Sequence, residues 1–322
     1  MTKHIGRQAA FGIGKEASRG TADAVDFWVP WSELEIDTKV EHVNNEAALG
    51  RIEDTDDAAI VSRYGEITLK AKLKDKSPGL LLLSLMGTDT VSEVEAGEVY
   101  DHTFSVAQSV QHQSLTAVLK DPNRDIAFPN AVVDTFKLDC ELGEYVMYEA
   151  TMMSREAEDD TNNVAIVQER DFVPQNVTFK KAANQAGLDA ASTFKIRNFS
   201  IEVKANTMLE NVLGNVTPDD ILNQSFSVEG EITLSHNDET FIDLQNANTE
   251  QAIRLDIEHT DTIGDTSKPR LRFDIYKCTL FDDKVERPLN EIVEETFSFK
   301  AHLHAADLAM LKIILRNEHP AY

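Results

Sequence analysis

Gly65-Glu66-Ile67-Thr68-Leu69 recurs as Gly230-Glu231-Ile232-Thr233-Leu234. The match widens around it. Ser32-Glu33-Leu34-Glu35-Ile36 corresponds to Asn198-Phe199-Ser200-Ile201-Glu202-Val203, Leu49-Gly50 to Leu213-Gly214, and Gly20 to Gly187. The separations agree to within a very few residues, which chance rarely sustains over such a distance. A period this long is a whole domain rather than a solenoid unit of about 20 to 50 residues. The chain therefore reads as two tandem copies of one fold, 1–160 and 161–322, divided in the acidic polar stretch Ser154-Arg155-Glu156-Ala157-Glu158-Asp159-Asp160-Thr161-Asn162-Asn163. A length of 322 residues agrees with two domains at roughly 150 residues each.

The repeated segments alternate strictly. Ile67, Leu69, Ala71 and Leu73 interleave with Glu66, Thr68, Lys70, Lys72 and Lys74, and Phe297, Phe299, Ala301 and Leu303 repeat the pattern near the end. That period of two predicts half-buried antiparallel strands with one wet face. Helices are expected in three places only. Ser77-Pro78-Gly79 opens a leucine run that stops at Gly87, Asn237-Asp238-Glu239-Thr240 leads into a second short apolar stretch, and residues 305–315 put Leu308, Leu311 and Leu315 on one helical face. Between matched strands lie two long connections, 41–63 and 205–227. Loops of that length without structure of their own are usually functional or disordered, and the same insertion in both copies points to function.

Composition narrows the function classes. Apolar residues make up 42% of the chain and charged residues 27%, as in ordinary globular proteins, and no run of about 18 apolar residues is present to span a bilayer. The first residues carry positive charge without an apolar core behind it, so no secretory signal is expected and assembly is placed in the cytoplasm. Two cysteines, one per copy, cannot make a disulfide framework and read as inert thiols. A net charge of −25 argues against gripping the outside of nucleic acid, which takes clustered Lys and Arg, but it leaves room for a nucleic acid that passes without sticking.

Motifs with chemistry are few. Gly12-Ile13-Gly14-Lys15 shares part of a phosphate-loop pattern but lacks its first glycine, and Glu16 stands where Ser or Thr would bind magnesium. Glu53-Asp54-Asp56-Asp57 and Glu156-Glu158-Asp159-Asp160 supply carboxylates without calcium-loop spacing and read as solvated loops. His302 and His304 share a strand side, yet no third ligand accompanies them. No nucleophile elbow or metalloprotease motif occurs. No catalytic, cofactor or metal residue is therefore expected.

Taken in order, four stretches resemble the tail tube proteins of bacteriophages with long noncontractile tails. They are Phe11-Gly12-Ile13-Gly14-Lys15-Glu16 with Arg19-Gly20-Thr21; Pro78-Gly79-Leu80-Leu81-Leu82-Leu83-Ser84-Leu85-Met86-Gly87-Thr88; Tyr100-Asp101-His102-Thr103-Phe104; and Ser114-Leu115-Thr116-Ala117-Val118. The resemblance implies a mainly β fold. Each copy would be an antiparallel β-sandwich or barrel-like tube domain with one short flanking helix, and a helix would close the chain. It implies a structural virion protein whose domains form rings of six that stack into a hollow tail tube for DNA. Two domains per chain would make the ring a homotrimer with pseudo-sixfold symmetry. The expected partners are other copies of the chain, tail tip or initiator and terminator proteins, the tape measure protein in the lumen, and transiently DNA, with no membrane. Glu33, Glu35, Asp37, Glu66, Glu202 and Glu231 are the candidate lumen residues. Lys70, Lys72, Lys74 and Lys204 share those faces. In the long connections, Glu46, Arg51, Glu53, Asp54, Asp56, Asp57, Asn211, Asp219 and Asp220 are the candidates for contact between stacked rings. A β-sandwich adhesion or decoration module binding a receptor or glycan is the alternative, weakened because Trp28 and Trp31 sit together near the start rather than in a long loop. A carbohydrate-active enzyme would need a defined carboxylate pair, and the sequence singles out none.

Overall fold

The structure is a computed structural model that describes residues 3–48, 50–237, 239–290 and 292–322. Leu49 of the repeat and Asp238 of the second helix-start signal fall outside the described residues. In the N-terminal half, β1 (Ala10–Lys15), β2 (Phe27–Val29), β3 (Trp31–Asn44) and β4 (Ala58–Lys72) precede α1 (Pro78–Met86). There follow β5 (Gly87–Glu95), β6 (Val99–Val106), β7 (Leu115–Lys120), β8 (Asp125–Glu141), β9 (Met147–Arg155) and the short β10 (Glu158–Asp159). The C-terminal half begins with β11 (Val177–Ala182), β12 (Thr193–Phe194), β13 (Ile196–Lys204), β14 (Thr207–Glu210), β15 (Asp220–Asn223) and β16 (Ser227–Ser235). After α2 (Thr240–Asn246) come β17 (Gln251–Glu258), β18 (Arg270–Glu286), β19 (Glu294–Ala301) and β20 (Leu311–Asn317).

All strand pairs are antiparallel, and the fold is mainly β without a closed barrel. Six pairings of the first half, β1·β2, β1·β7, β7·β8, β8·β9, β4·β9 and β3·β4, have counterparts in the second: β11·β12, β11·β17, β17·β18, β18·β19, β16·β19 and β13·β16. The repeated glycines occupy matching places. Gly65 pairs with Thr38 and Ser154, and Gly230 with Ile201 and Phe299. A Cβ on Gly65 would meet Ser154 and Phe128, and one on Gly230 would meet Phe299 and the Ser200 carbonyl, so close approach across the sheet requires glycine at both. Among the described residues, 87–106, forming the β5·β6 hairpin, have no counterpart in the second half. The hairpin instead receives β20, which pairs with β6 on one edge and β18 on the other.

The inward residues of the alternating strands form one apolar core that runs through both halves. Phe11, Phe136, Phe179, Phe199, Phe297 and Phe299 are at most 2% exposed. Each such side chain stabilises the fold by about 1.5–3 kcal/mol relative to leaving it in water. Helix α1 begins with Pro78, whose missing N–H costs nothing in a first turn, and every one of its residues is buried. It therefore plugs the core rather than flanking it. Only Phe241 of α2 is buried.

Two expectations are corrected. The chain does not close with a helix. Residues 311–317 are β20, because Leu311, Ile313 and Leu315 alternate inward with Lys312, Ile314 and Arg316 between two waiting strand edges, and the β-branched pair favours the strand. The 41–63 and 205–227 connections are not structureless. The first is mostly the long β3·β4 hairpin, and the second contains the separate β14·β15 hairpin.

Candidate functional site

The two halves join along a strand edge. The outer edge of β8 pairs with β13, with Thr135 opposite Lys204, Lys137 opposite Glu202 and Asp139 opposite Ser200. This links the strands β3, β4, β9, β8, β13, β16, β19 and β18 into one continuous eight-stranded run. Alternation sends Phe136, Leu138, Phe199 and Ile201 into the core, so their neighbours stand on the opposite, uncovered face.

That face carries all six carboxylates expected at a lumen. Glu33, Glu35, Asp37 and Glu231 are exposed, and Glu66 and Glu202 are half-exposed. Register adds partners invisible in the sequence. One row across the sheet runs Glu33, Lys70, Glu149, Lys137, Glu202, Glu229 and Lys300, so acids and lysines largely alternate. Lys39 bridges Asp37 and Glu66, Lys204 pairs with Glu202 at 2.8 Å, and Lys300 with Glu229 at 2.6 Å. Hydrogen bonding to Asp37 and Glu66 pushes the Lys39 pKa up, and bonding to Glu202 does the same for Lys204. Thr135 and Thr151 share a 2.6 Å hydrogen bond across the strands, as Thr233 and Thr296 do at 3.0 Å. The face is thus a mixed polar surface rather than a purely acidic one, with several of its lysines paired to its carboxylates. Lys74 lies off it, paired with Asp171 at 2.8 Å.

The candidate contact residues divide into two groups. Glu46, Arg51, Glu53, Asp54, Asp56 and Asp57 are exposed in the turn between β3 and β4, where the Asn45 amide donates to the Asp57 carbonyl. Asn211 and Asp219 are exposed between β14 and β15. The two segments lie side by side, since the Arg63 amide donates to the Val216 carbonyl at 2.7 Å, and Ile60, Val61, Val212 and Leu213 line a shallow cleft between them. Gly50 and Gly214 both adopt positive φ in these turns, and Ile52 and Leu213 are fully exposed beside them. Among the described residues nothing covers these apolar side chains.

Asp220 is different. It is buried and takes hydrogen bonds from Arg19 Nε at 2.6 Å, Gln111 Nε2 at 2.6 Å and Asn130 Nδ2 at 3.1 Å. Burial works to raise its pKa, but these donors outweigh it and hold the carboxyl below the usual range. Arg19 also donates to the His112 and Ile221 carbonyls. Asp220 therefore latches the C-terminal half to the N-terminal half, and its carboxylate is fully committed there. The neighbouring Glu16, also buried, accepts from the Gly20 and Asn130 amides. The Gly12–Lys15 pattern is strand β1 itself, which is not a phosphate cradle.

Among the described residues, no three His, Cys, Asp or Glu side chains gather closely enough to hold a metal ion. His302 hydrogen-bonds Thr279, and His304 pairs with Asp307. No helix among the described residues is long and apolar enough to cross a membrane.

Fold and surface thus define an antiparallel β protein with an uncovered polar sheet and two adjoining hairpin turns. A family model described as phage tail tube protein matches residues 6–301, nearly the whole chain, and the chain belongs to that family. This is a structural family of the phage tail, not an enzyme family. No curated protein matches the chain.

Proposed function

We propose that this chain polymerises into stacked rings forming the hollow tube of a phage tail, through which DNA passes into the host. The observation that carries the reading is the β8·β13 join, where one half of the chain adds its sheet to the other. If residues 1–160 and 161–322 are tandem copies of one tube domain, the same junction repeated between chains closes a ring. Two domains per chain then give three chains per ring, a heterologous contact that closes on itself.

In this reading the polar face of the eight-stranded run lines the lumen, with Glu33, Glu35, Asp37, Glu66, Glu202 and Glu231 among its groups. DNA presents one negative charge per roughly 1.7 Å of axis, so a basic wall would hold it by releasing counterions. A wall on which Lys39, Lys137, Lys204 and Lys300 are paired to carboxylates offers little such grip. The turns carrying Glu46, Arg51, Glu53, Asp54, Asp56, Asp57, Asn211 and Asp219 meet the next ring, burying Ile52 and Leu213. Tip or initiator and terminator proteins cap the ends, and the tape measure protein occupies the lumen during assembly in the host cytoplasm. Free strand edges are an aggregation hazard, so elongation waits for an initiator.

Electron microscopy of the purified chain tests this. Hollow tubes of uniform width with three chains per ring are expected. Six chains per ring would keep the tube and discard the trimer, and persistent monomers under all conditions, with or without tail tip protein, would discard both.

A further inference from the structure

Both ends of the eight-stranded run carry unpaired strand edges, although at the β18 end the Asp283 amide donates to Gln245 Oε1 of α2 at 3.1 Å. Among the described residues, β3 pairs only with β4, and residues 281–286 of β18 pair only with β19. Their counterparts, β13 and β8, pair with each other inside the chain. We propose, resting on the ring reading above, that β18 of one copy of this chain pairs antiparallel with β3 of the next in one specific register. Val285 faces Val40, Lys284 faces Glu41, and Glu286 faces Lys39.

The register comes from the internal junction. Strand pairing corrects the correspondence of 32–36 with 198–203 by a few residues: Ile36 opposite Ile67 matches Phe199 opposite Ile232, Thr38 opposite Gly65 matches Ile201 opposite Gly230, and Glu41 is therefore the counterpart of Lys204. Thr151, paired to Thr68 and Thr135, matches Thr296, paired to Thr233 and Lys284, so Lys284 is the counterpart of Thr135. Since Lys204 lies opposite Thr135, Glu41 of one copy falls opposite Lys284 of the other.

Three independent features fit this alignment. First, it sets Glu41 against Lys284 and Lys39 against Glu286, two opposite-charge pairs, in the place where the internal junction sets Glu202 against Lys137. Among the described residues Lys284 pairs with Glu286 of its own strand. Second, it covers Val40, 39% exposed in the free chain, with Val285, as Val203 is covered by Phe136. Third, it explains an orphan. At the internal junction Asp134, in the β8 bulge, accepts from the Thr207 amide at 2.6 Å and the Thr207 hydroxyl at 2.7 Å. Its counterpart in the β18 bulge is Asp283, whose Oδ1 is shielded from solvent and has no hydrogen-bond partner. Thr207 follows the turn at Asn206, whereas β3 runs straight on to Asn44, so counting along the strand from Glu41 the alignment offers that oxygen the backbone amide of Asn44 of the neighbouring copy.

The test is a cysteine pair, Val40→Cys with Val285→Cys, introduced into one chain and oxidised in assembled tubes. Residues directly opposite on neighbouring strands have Cβ atoms about 4.5–5.5 Å apart, within reach of a disulfide once an added oxidant removes the two thiol hydrogens, whereas diagonal neighbours stand about 7–8 Å apart. Cross-linked products closing at the full ring are expected, with none from Thr38→Cys or His42→Cys paired with Val285→Cys. Tubes that cross-link best in a shifted pairing, or in none, overturn the register while leaving the tube intact. Absence of tubes from the unmodified chain speaks against the ring reading instead. Should the cysteine variant itself fail to assemble, charge reversal decides. Lys284→Glu should slow tube formation and Glu41→Lys with Lys284→Glu should restore it; a double variant no better than the single one overturns the register.

Discussion

Glu95 at the end of β5 accepts two hydrogen bonds from Ser267 on the far half of the chain, from the backbone amide at 2.8 Å and from the hydroxyl at 2.6 Å. The amides of Asp265 and Thr266 donate to the same carboxylate. The hairpin without a counterpart thus clamps a loop of the C-terminal half while β6 pairs with β20. Hydrogen bonding from Ser267, then from the Asp265 amide, lowers the Glu95 pKa from its ordinary 4.5 to about 2. A lowered folded-state pKa contributes stability above the unfolded value and loses it as pH falls. Glu95→Gln is therefore expected to lower the thermal midpoint of the unassembled subunit modestly at pH 7. The gap to the parent should close as pH falls from about 4.5 towards 2. Melts followed by circular dichroism check this, and a gap independent of pH would mean that the carboxylate charge is not what holds the loop.

Inside the C-terminal half, Arg254 is 4% exposed and forks onto Asp274, with Nε to Oδ1 at 2.5 Å and Nη2 to Oδ2 at 2.9 Å. Asp189, itself exposed, also pairs with Arg254, so removing Asp274 leaves the buried guanidinium with one outlying partner and its remaining N–H groups unmet. Asp274→Ala should cost about 3–5 kcal/mol in urea unfolding. Replacing both, Arg254→Met with Asp274→Leu, should cost far less because no charge is left unpaired. Equal losses from the single and the double variant would show that the ion pair is not the source of the effect.

Much of this architecture was legible before the structure. Ile67, Leu69 and Ala71 alternate so strictly with charged residues that strand, face and burial followed together, and the recurrence at Gly230 extended this to the second half. What escaped reading was set by neighbours distant in sequence. Leu308, Leu311 and Leu315 satisfy a helical face while Leu311, Ile313 and Leu315 satisfy a strand, and only the open edges of β18 and β6 decide between them. Asp219 and Asp220 look alike in sequence, yet one is exposed and the other is latched by Arg19 about two hundred residues away. The carboxylates of the polar face were found, but their lysine partners Lys137 and Lys300 were not, because cross-strand register is not written in local periodicity.

The turn between β3 and β4 can be removed without touching the core, since the Asn45 amide already meets the Asp57 carbonyl. Replacing residues 46–56 with a two-residue Asn-Gly turn should leave the subunit folded. Loop shortening changes closure entropy by only about 0.6 kcal/mol per halving. If these residues join one ring to the next, the shortened chain should form protomers or rings but no long tubes, as seen by sedimentation and microscopy. Normal elongation would remove the stacking role from this turn.

Which side of the sheet faces the lumen is open to a chemical measurement on intact tubes. Glu231 stands on the uncovered polar face, whereas Glu93 stands exposed on β5, in the hairpin outside the eight-stranded run. Cysteine placed at either position should be the reactive thiol of the chain, because Cys140 and Cys278 are buried and burial pushes both thiols up to about 12, leaving almost no thiolate at pH 8. In tubes, Glu231→Cys should react with a small maleimide entering the bore but only marginally with one carrying a long polymer chain. Glu93→Cys should react with both, and the two variants should behave alike before assembly. A tube in which Glu231→Cys takes the bulky reagent as readily as Glu93→Cys has its polar sheet on the outside. In that case the paired lysines and carboxylates would have to be explained by contact with something other than DNA.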